Sequence, residues 1–246
     1  MAKKIKRPVD PVTKKTILNL PSVDLPIKPL TTEEINRDIK KRISHIAKEF
    51  TLGFDFIKTH QKSVTFFGSA RLGAENPYYQ KAVRLSKALA QNGYAVLTGG
   101  GPGIMEAANL GALKGKGDSL GLTISLPKEQ VTNPYVSDFR EFHYFFTRKV
   151  CLTFSAEAYI YFPGGFGTLD EFFEILTLIQ TNKILPVPII LVGKDFWQPL
   201  EQFLCKTVYR DFKAISKEDF KLYHLTEDEK EIIEIIKKSP IRQLDN

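Results

Sequence analysis

The chain has 246 residues, 43% of them hydrophobic, and a formal charge of 35 − 28 = +7. This composition is ordinary for a globular protein, and the length suits one large α/β domain or two small ones. Residues 1–30 carry seven bases and two acids, so +5 of the charge lies there and +2 is left for residues 31–246. Such a nearly neutral body argues against a folded nucleic-acid-binding face.

Two segments precede the main pattern. Residues 1–30 contain five prolines and several lysines, which predicts an extended or disordered basic arm. Residues 31–60 are predicted to be helical, because Thr32 can cap a helix whose isoleucines recur at helical spacing.

Strands and helices alternate from residue 63 onward. The predicted strands cover 64–68, 95–98, 119–126, 141–145, 158–162 and 187–192. The predicted helices cover 78–92, 104–114, 148–155, 169–181, about 196–209 and 227–238. Nearly all-apolar strands separated by helices are typical of an α/β fold, a parallel sheet with helices on both faces. We expect one domain over residues 31–246, preceded by the helical or disordered N-terminal arm.

Residue spacing disfavours a metal site, and the length of the apolar segments disfavours a membrane partner. Cys151 and Cys205 form no CxxC pair, and the four histidines give no HExxH spacing, so no metal site is predicted. Cysteines used in this way fit a reducing cytoplasm. The apolar stretch 185–192 is too short to span a bilayer, so we expect no membrane partner.

A glycine-rich turn follows the second predicted strand, where residues 98–106 read TGGGPGIME. A helix start attracts phosphate, because its backbone N–H groups are unpaired and carry partial positive charge. The turn lacks the GxGxxG spacing, which disfavours a redox enzyme, and the chain lacks the P-loop spacing. It is a candidate phosphate cradle, with a tight turn that binds no ligand as the alternative.

A second turn, residues 163–171, reads PGGFGTLDE. Thr168 stands where an N-cap belongs and Glu171 follows three residues later, so a capping box is the alternative to a site. Two such turns on neighbouring strands, one with a carboxylate, favour a site. After the first strand, Ser69 can donate to a phosphate or ribose hydroxyl, and Arg71 either faces an anion or is merely solvated.

Residues 163–171 and the upstream pair Arg148-Lys149 resemble the PGGxGTxxE and Arg-Lys motifs of the Lonely Guy (LOG) family, long labelled as possible lysine decarboxylases. The turn at residues 99–101 matches the family too, and the resemblance covers about residues 62–210. Gly103–Asn109 and Leu126–Gln130 resemble the longer bacterial branch of the family.

The resemblance implies a Rossmann-like fold and a nucleoside 5′-monophosphate phosphoribohydrolase. Such an N-glycosidase splits AMP or N6-modified AMP, the cytokinin riboside 5′-monophosphate type, into base and ribose 5-phosphate. The implied partners are an AMP-like nucleotide and a second copy in a homodimer or dimer-built oligomer, with no nucleic acid. No cofactor is implied, since lysine decarboxylation needs a Schiff-base lysine for pyridoxal phosphate and the motif supplies none.

The resemblance also assigns residues. Arg148 and Glu171 become the catalytic pair. The candidate phosphate and ribose shell, with the turn after the first strand included, is Gly68, Ser69, Gly100, Gly101, Gly164, Gly165, Gly167 and Thr168. Met105 and Lys149 are candidates for a base pocket, to which Phe145 and Phe146 are further candidates.

A mechanism follows from these assignments. Breaking a ribosyl–base bond builds positive charge on the sugar, and we expect Glu171 to stabilise it and to take a proton from water. The helix N-terminus is expected to keep the pKa of Glu171 low. Arg148, permanently charged, would hold phosphate or the leaving base. Asp170 and His143 are open candidates for protonating that base.

Two other classes of function stay open. One is a nucleotide-binding sensor module that uses the same phosphate turns without catalysis. The other is nucleic-acid binding through residues 1–30, which would depend strongly on salt.

Overall fold

The computed structural model of the protein describes residues 30–125 and 132–240. The predicted arm up to residue 29 and the segment Leu126–Gln130 therefore lie outside the described residues. Backbone contacts divide the chain into two units, residues 1–42 and 43–246. Within the described ranges, no helix is long and apolar enough to cross a membrane.

The described part of the first unit is the beginning of helix α1, Thr32–Thr59. Thr31 caps it: Glu34 N donates to Thr31 Oγ1 at 3.2 Å, and Thr31 N donates to Glu34 Oε2 at 2.8 Å. This reciprocal pair is a capping box, and it lowers the pKa of Glu34. The prediction that Thr32 caps the helix is wrong by one residue, because Thr32 already belongs to the helix.

The described residues of the second unit form a sheet of seven parallel strands in the order β4-β3-β2-β1-β5-β6-β7. The strands are β1 Ser63–Phe67, β2 Ala95–Thr98, β3 Ser119–Ile124, β4 Asp138–Phe142, β5 Ala158–Tyr161, β6 Ile189–Leu191 and β7 His224–Leu225. The α/β class with a parallel sheet is therefore confirmed.

Helices cover both faces of this sheet. They are α2 Pro77–Gln91, α3 Ile104–Lys114, α4 Phe145–Thr153, α5 Phe166–Gln180, α6 Lys194–Phe203 and α7 Glu229–Lys237. Helices α2, α3 and α7 pack on one face, over a core that includes Val64 and Phe66. The second-unit part of α1 packs with α4, α5 and α6 on the other face, over a core that includes Tyr159 and Trp197. Successive strand residues serve opposite cores, as the pleat requires.

Element boundaries account for most of the differences from prediction. Helices α4 and α5 each begin three residues earlier than expected, at Phe145 and Phe166. The helix predicted at about 196–209 is α6 continued by a π-helix, Leu204–Asp211. The short strand β7 was not predicted, since two residues carry no readable periodicity.

A buried amide joins the turn after β2 to the rest of the sheet. Asn109 Oδ1 accepts from Thr98 Oγ1 at 2.7 Å and from Asn133 Nδ2 at 3.0 Å, and Asn109 Nδ2 donates to Ser119 Oγ at 2.9 Å. Asn109 has no exposed surface. Its four polar partners, Leu120 O among them, leave no polar atom of the amide unsatisfied.

We expect Asn109→Ala to lower the free energy of unfolding by about 2–4 kcal/mol, because the substitution leaves several buried polar groups without a hydrogen bond. Urea unfolding followed by circular dichroism measures this change. Gln91→Ala removes an amide from an exposed helical position and should stay within about 0.5 kcal/mol of the wild type. Equal effects of the two substitutions would contradict this account.

Candidate active site

The strand order reverses between β1 and β5. The chain runs outward from β1 to β4 on one side and then returns to place β5 on the other side of β1. Ligands of open α/β sheets bind beyond the carboxyl ends of the strands at such a reversal. A cavity of ≈ 1040 Å³ opens there, lined by the turns after β1, β2 and β5 and by residues of α3, α4, α5 and α6.

The peptide of Ser69 ties the three turns together. Ser69 N donates to Pro163 O at 2.9 Å, and Ser69 O accepts from Ile104 N at 3.0 Å. Ser69 Oγ accepts from Arg71 N at 3.1 Å, which closes the turn after β1. The serine hydroxyl, predicted to face phosphate or ribose, thus also organises its own turn at the edge of the cavity.

Helix α5 starts inside the glycine-rich motif. Its N-cap is Gly165, which has no side chain to cap the helix, and its first residue is Phe166. Thr168 therefore lies within the first turn and Glu171 within the second. The capping-box alternative is wrong, because both residues already belong to the helix and Thr168 is not its cap.

Glu171 lines this cavity. Its Oε2 atom is buried and has no hydrogen-bond partner among the described residues. Burial raises the pKa of Glu171 to about 7, although Lys149 and then Arg148 act to lower it. The prediction of a low pKa is wrong, because the field of a helix terminus fades after the first turn and desolvation dominates here.

Arg148 approaches the same cavity from α4. Its Nε donates to Leu122 O at 2.6 Å, which orients the guanidinium. Burial lowers its pKa, and Glu171 acts to raise it. A Cβ atom at position 99 would lie 2.2 Å from Arg148 Nη2, so Gly99 is the residue that leaves room for the guanidinium. The expectation that the Arg-Lys pair opens a helix is wrong, since both cations follow the first turn of α4.

Lys149 does not line the cavity. Its Nζ lies 2.6 Å from Asp170 Oδ2 and 3.0 Å from Glu174 Oε2, so it pairs α4 with α5. Of the two candidate proton donors, one lies at the cavity and the other does not. Asp170 lines the cavity, whereas the backbone N–H of His143 donates to Glu49 Oε1 and His143 is not among the lining residues.

Most of the predicted binding shell meets at the cavity. The lining includes Gly68, Ser69, Met105, Gly164, Gly165, Gly167 and Thr168. Gly100 and Gly101 are not part of it: their carbonyl oxygens accept from Asn133 N at 2.8 Å and Asn133 Nδ2 at 3.0 Å. Of the three glycines at 99–101, only Gly99 faces the cavity.

Three lining aromatics were missed by the sequence analysis, Phe67, Phe166 and Phe196. Phe166 is 93% exposed, and Phe145 beside the cavity is 63% exposed. An aromatic residue inside a glycine-rich turn is the signal that could have identified Phe166. Phe196 carries no such signal, since an aromatic residue in a predicted helix usually belongs to the core.

A family model described as "possible lysine decarboxylase" matches residues 105–236, which is 132 of the 246 residues. The chain belongs to this family. The match begins within α3 and ends within α7, so it contains Arg148, Glu171 and the whole glycine-rich motif between β5 and α5. The resemblance to the LOG family is thereby confirmed.

Two curated proteins illustrate the relatives of this LOG-family chain. The rice cytokinin riboside 5′-monophosphate phosphoribohydrolase LOG is 32% identical over 152 residues, 61% of this chain and 62% of the rice protein. The cytokinin riboside 5′-monophosphate phosphoribohydrolase of Rhodococcoides fascians is 28% identical over 149 residues, 58% of this chain and 74% of that protein. The alignment thus spans less than two thirds of the rice protein.

Among solved structures, the molybdenum cofactor carrier protein of Chlamydomonas reinhardtii is similar to this chain with a TM-score of 0.53 and 22% identity. The superposition covers 72% of this chain and 97% of the carrier protein. At this identity the likeness shows a shared Rossmann-like fold.

The raised pKa of Glu171 predicts a pH-dependent stability. Between about pH 4.5, the ordinary pKa of a glutamate, and pH 7 the folded state binds more protons than the unfolded state, so the wild type loses stability as pH rises. Glu171→Gln does not lose stability in this way, because its side chain carries no charge at any of these pH values. We expect the variant to be more stable than the wild type by about 2 kcal/mol at pH 8, with little difference at pH 5, since each tenfold change in proton affinity corresponds to about 1.4 kcal/mol.

Urea unfolding at pH 5 and pH 8 measures this effect. Glu141→Gln makes the same chemical change at an exposed position and should follow the wild type at both pH values. A Glu171→Gln variant with the same stability difference at both pH values would show that burial does not penalise this carboxylate.

Proposed function

We propose that this protein is a nucleoside 5′-monophosphate phosphoribohydrolase. It hydrolyses the N-glycosidic bond of AMP or N6-modified AMP and releases the base and ribose 5-phosphate. The observation that carries the proposal is a buried glutamate, Glu171, whose Oε2 has no hydrogen-bond partner among the described residues and which lines one cavity with the desolvated guanidinium of Arg148. The names of the rice and Rhodococcoides relatives support the same reaction class.

The reaction breaks the bond between C1′ and the base nitrogen, and the base leaves with the electron pair. Positive charge develops at C1′ and is stabilised by the Glu171 carboxylate. The same carboxylate accepts a proton from the attacking water, for which a pKa near the working pH is well suited. The departing base takes up a proton, so the overall reaction adds water across the C1′–N bond.

The remaining groups bind the substrate. Helix α5 begins at the cavity without a side-chain cap, so its first N–H groups suit the 5′-phosphate. Arg148 keeps its charge and stabilises either this phosphate or the charge on the departing base. The exposed rings of Phe145 and Phe166 offer flat apolar surface for a purine.

Lysine decarboxylation does not fit these residues. A pyridoxal phosphate enzyme needs a lysine that forms a Schiff base with the cofactor. None of the described residues that line the cavity is a lysine. Lys149, which precedes the motif and follows Arg148, is held by Asp170 and Glu174 instead.

The first test is release of adenine from AMP. We expect Glu171→Gln to lower kcat at least 100-fold while the protein stays folded, because the amide neither stabilises positive charge nor accepts a proton. Chromatography of the free base measures the rate, and Glu141→Gln serves as the matched control with wild-type turnover. Wild-type turnover by Glu171→Gln would contradict the mechanism. Tight AMP binding by the wild type without adenine release would favour the sensor module instead.

The pH dependence of kcat/KM gives a second test. Because the reactive form of Glu171 is the carboxylate, kcat/KM should rise as pH increases through about 7 and level off above it. The profile is measured with AMP between pH 5 and pH 9, with enzyme stability checked at each end. A profile that is flat from pH 6 to pH 8 would exclude the assigned role for Glu171.

A further inference from the structure

Helix α4, which carries Arg148, does not cap its own start. Its N-cap residue Tyr144 makes no side-chain cap hydrogen bond, and its first turn contains no acidic residue. A helix start in this state leaves backbone N–H groups and partial positive charge without a partner.

Glu49 of helix α1 holds the segment that leads into α4. Its Oε1 accepts from His143 N at 2.6 Å, and its Oε2 accepts from Tyr144 N at 3.3 Å and from Thr147 Oγ1 at 2.5 Å. The side chain is buried, with 7% of its surface exposed. The two N–H groups belong to the residues just before the helix and the hydroxyl belongs to its first turn, so this buried carboxylate anchors the start of α4 from a distant helix.

The same two helices touch again one turn further along α1. A Cβ atom at Gly53 would lie 2.5 Å from Cys151 Sγ and 2.9 Å from a ring carbon of Phe142. Gly53 therefore permits a close approach of α1 to α4. With Glu49 at the start of α4 and Gly53 against its middle, both the position and the rotation of α4 are fixed by α1.

Arg148 is the next residue after Thr147, whose hydroxyl is bonded to Glu49. Two features set the position of the guanidinium at the cavity. They are its hydrogen bond to Leu122 O and the space left by Gly99. A small shift of α4 would break that bond or drive the guanidinium against the turn. Displacements of about 1 Å in a catalytic group are enough to slow a reaction strongly.

We propose that Glu49 is a positioning residue that sets the placement of Arg148 by anchoring the start of α4. Glu49 and Gly53 both precede residues 105–236, the part matched by the family model. The segment before β1 thus helps to position a residue of the site. The effect of Glu49 on turnover rests on the proposed function, whereas its effect on the placement of Arg148 does not.

The test combines a ligand-free measurement with turnover. Glu49→Gln keeps the shape of the side chain but replaces one accepting oxygen with a donor that faces N–H and O–H donors. The ligand-free readout is hydrogen exchange at Arg148 Nε in ¹H–¹⁵N spectra of the full-length protein, with the signal assigned by its loss in Arg148→Lys. We expect exchange at least tenfold faster in Glu49→Gln. Asp55→Asn, a similar change at an exposed position on the same helix, should leave the exchange unchanged.

Turnover of AMP is then measured in a double-mutant cycle. Glu49→Gln should lower kcat at least tenfold in the wild type and should add little to the loss caused by Arg148→Lys, because both act through one group. Equal losses in the two backgrounds, or unchanged exchange at Arg148 Nε, would overturn the proposal. Faster exchange in a protein that releases no adenine would support the positioning role and contradict the proposed function.

A second pair of variants covers the case in which Glu49→Gln fails to fold. Thr147→Val removes one of the three bonds to Glu49, and Thr147→Ser keeps it. The valine variant should speed exchange at Arg148 Nε, and the serine variant should restore the wild-type rate. Identical rates in both would overturn the proposal.

Discussion

Glu171 holds a carboxylate out of water at the point where the sheet reverses its strand order. Taking an unpaired carboxylate out of water is costly, and its raised pKa expresses that cost. Glu171 lies near the edge of the sheet at which the parallel strands bring the turns after β1, β2 and β5 together. A group kept in such a state at a cavity is typical of sites where stability is given up for chemistry.

The second half of the site depends on contacts between segments far apart in the chain. Arg148 lies on α4, but its position is set by Leu122 of β3, by Gly99 after β2 and by Glu49 of α1. Ser69 plays the same part for the turns, since its peptide joins Pro163 and Ile104. The site therefore depends on several elements of the second unit, and the part of α1 that belongs to this unit contributes to it through α4.

Local sequence was a good guide to the order and type of the elements and a weaker guide to their ends. The early starts of α4 and α5 show why. Phe145 and Phe166 follow residues with turn character, and whether the first helical turn includes them is settled by packing and by the neighbouring turns. The three-residue difference moves Glu171 into the second turn of α5, which removes it from the cap and reverses the expected direction of its pKa.

The α/β fold follows from the residue pattern, because nearly all-apolar strands alternating with amphipathic helices can be buried in few other ways. The sequence also determined the chemical types at the site, since the glycine-rich motif, Glu171 and Arg148 stand at readable spacings. Three features of the site appear only in the folded protein: which glycines face the cavity, the pairing of Lys149 with α5, and the anchoring of the start of α4 by Glu49. Those outcomes depend on distances between segments far apart in the chain, and on burial, neither of which a local pattern contains.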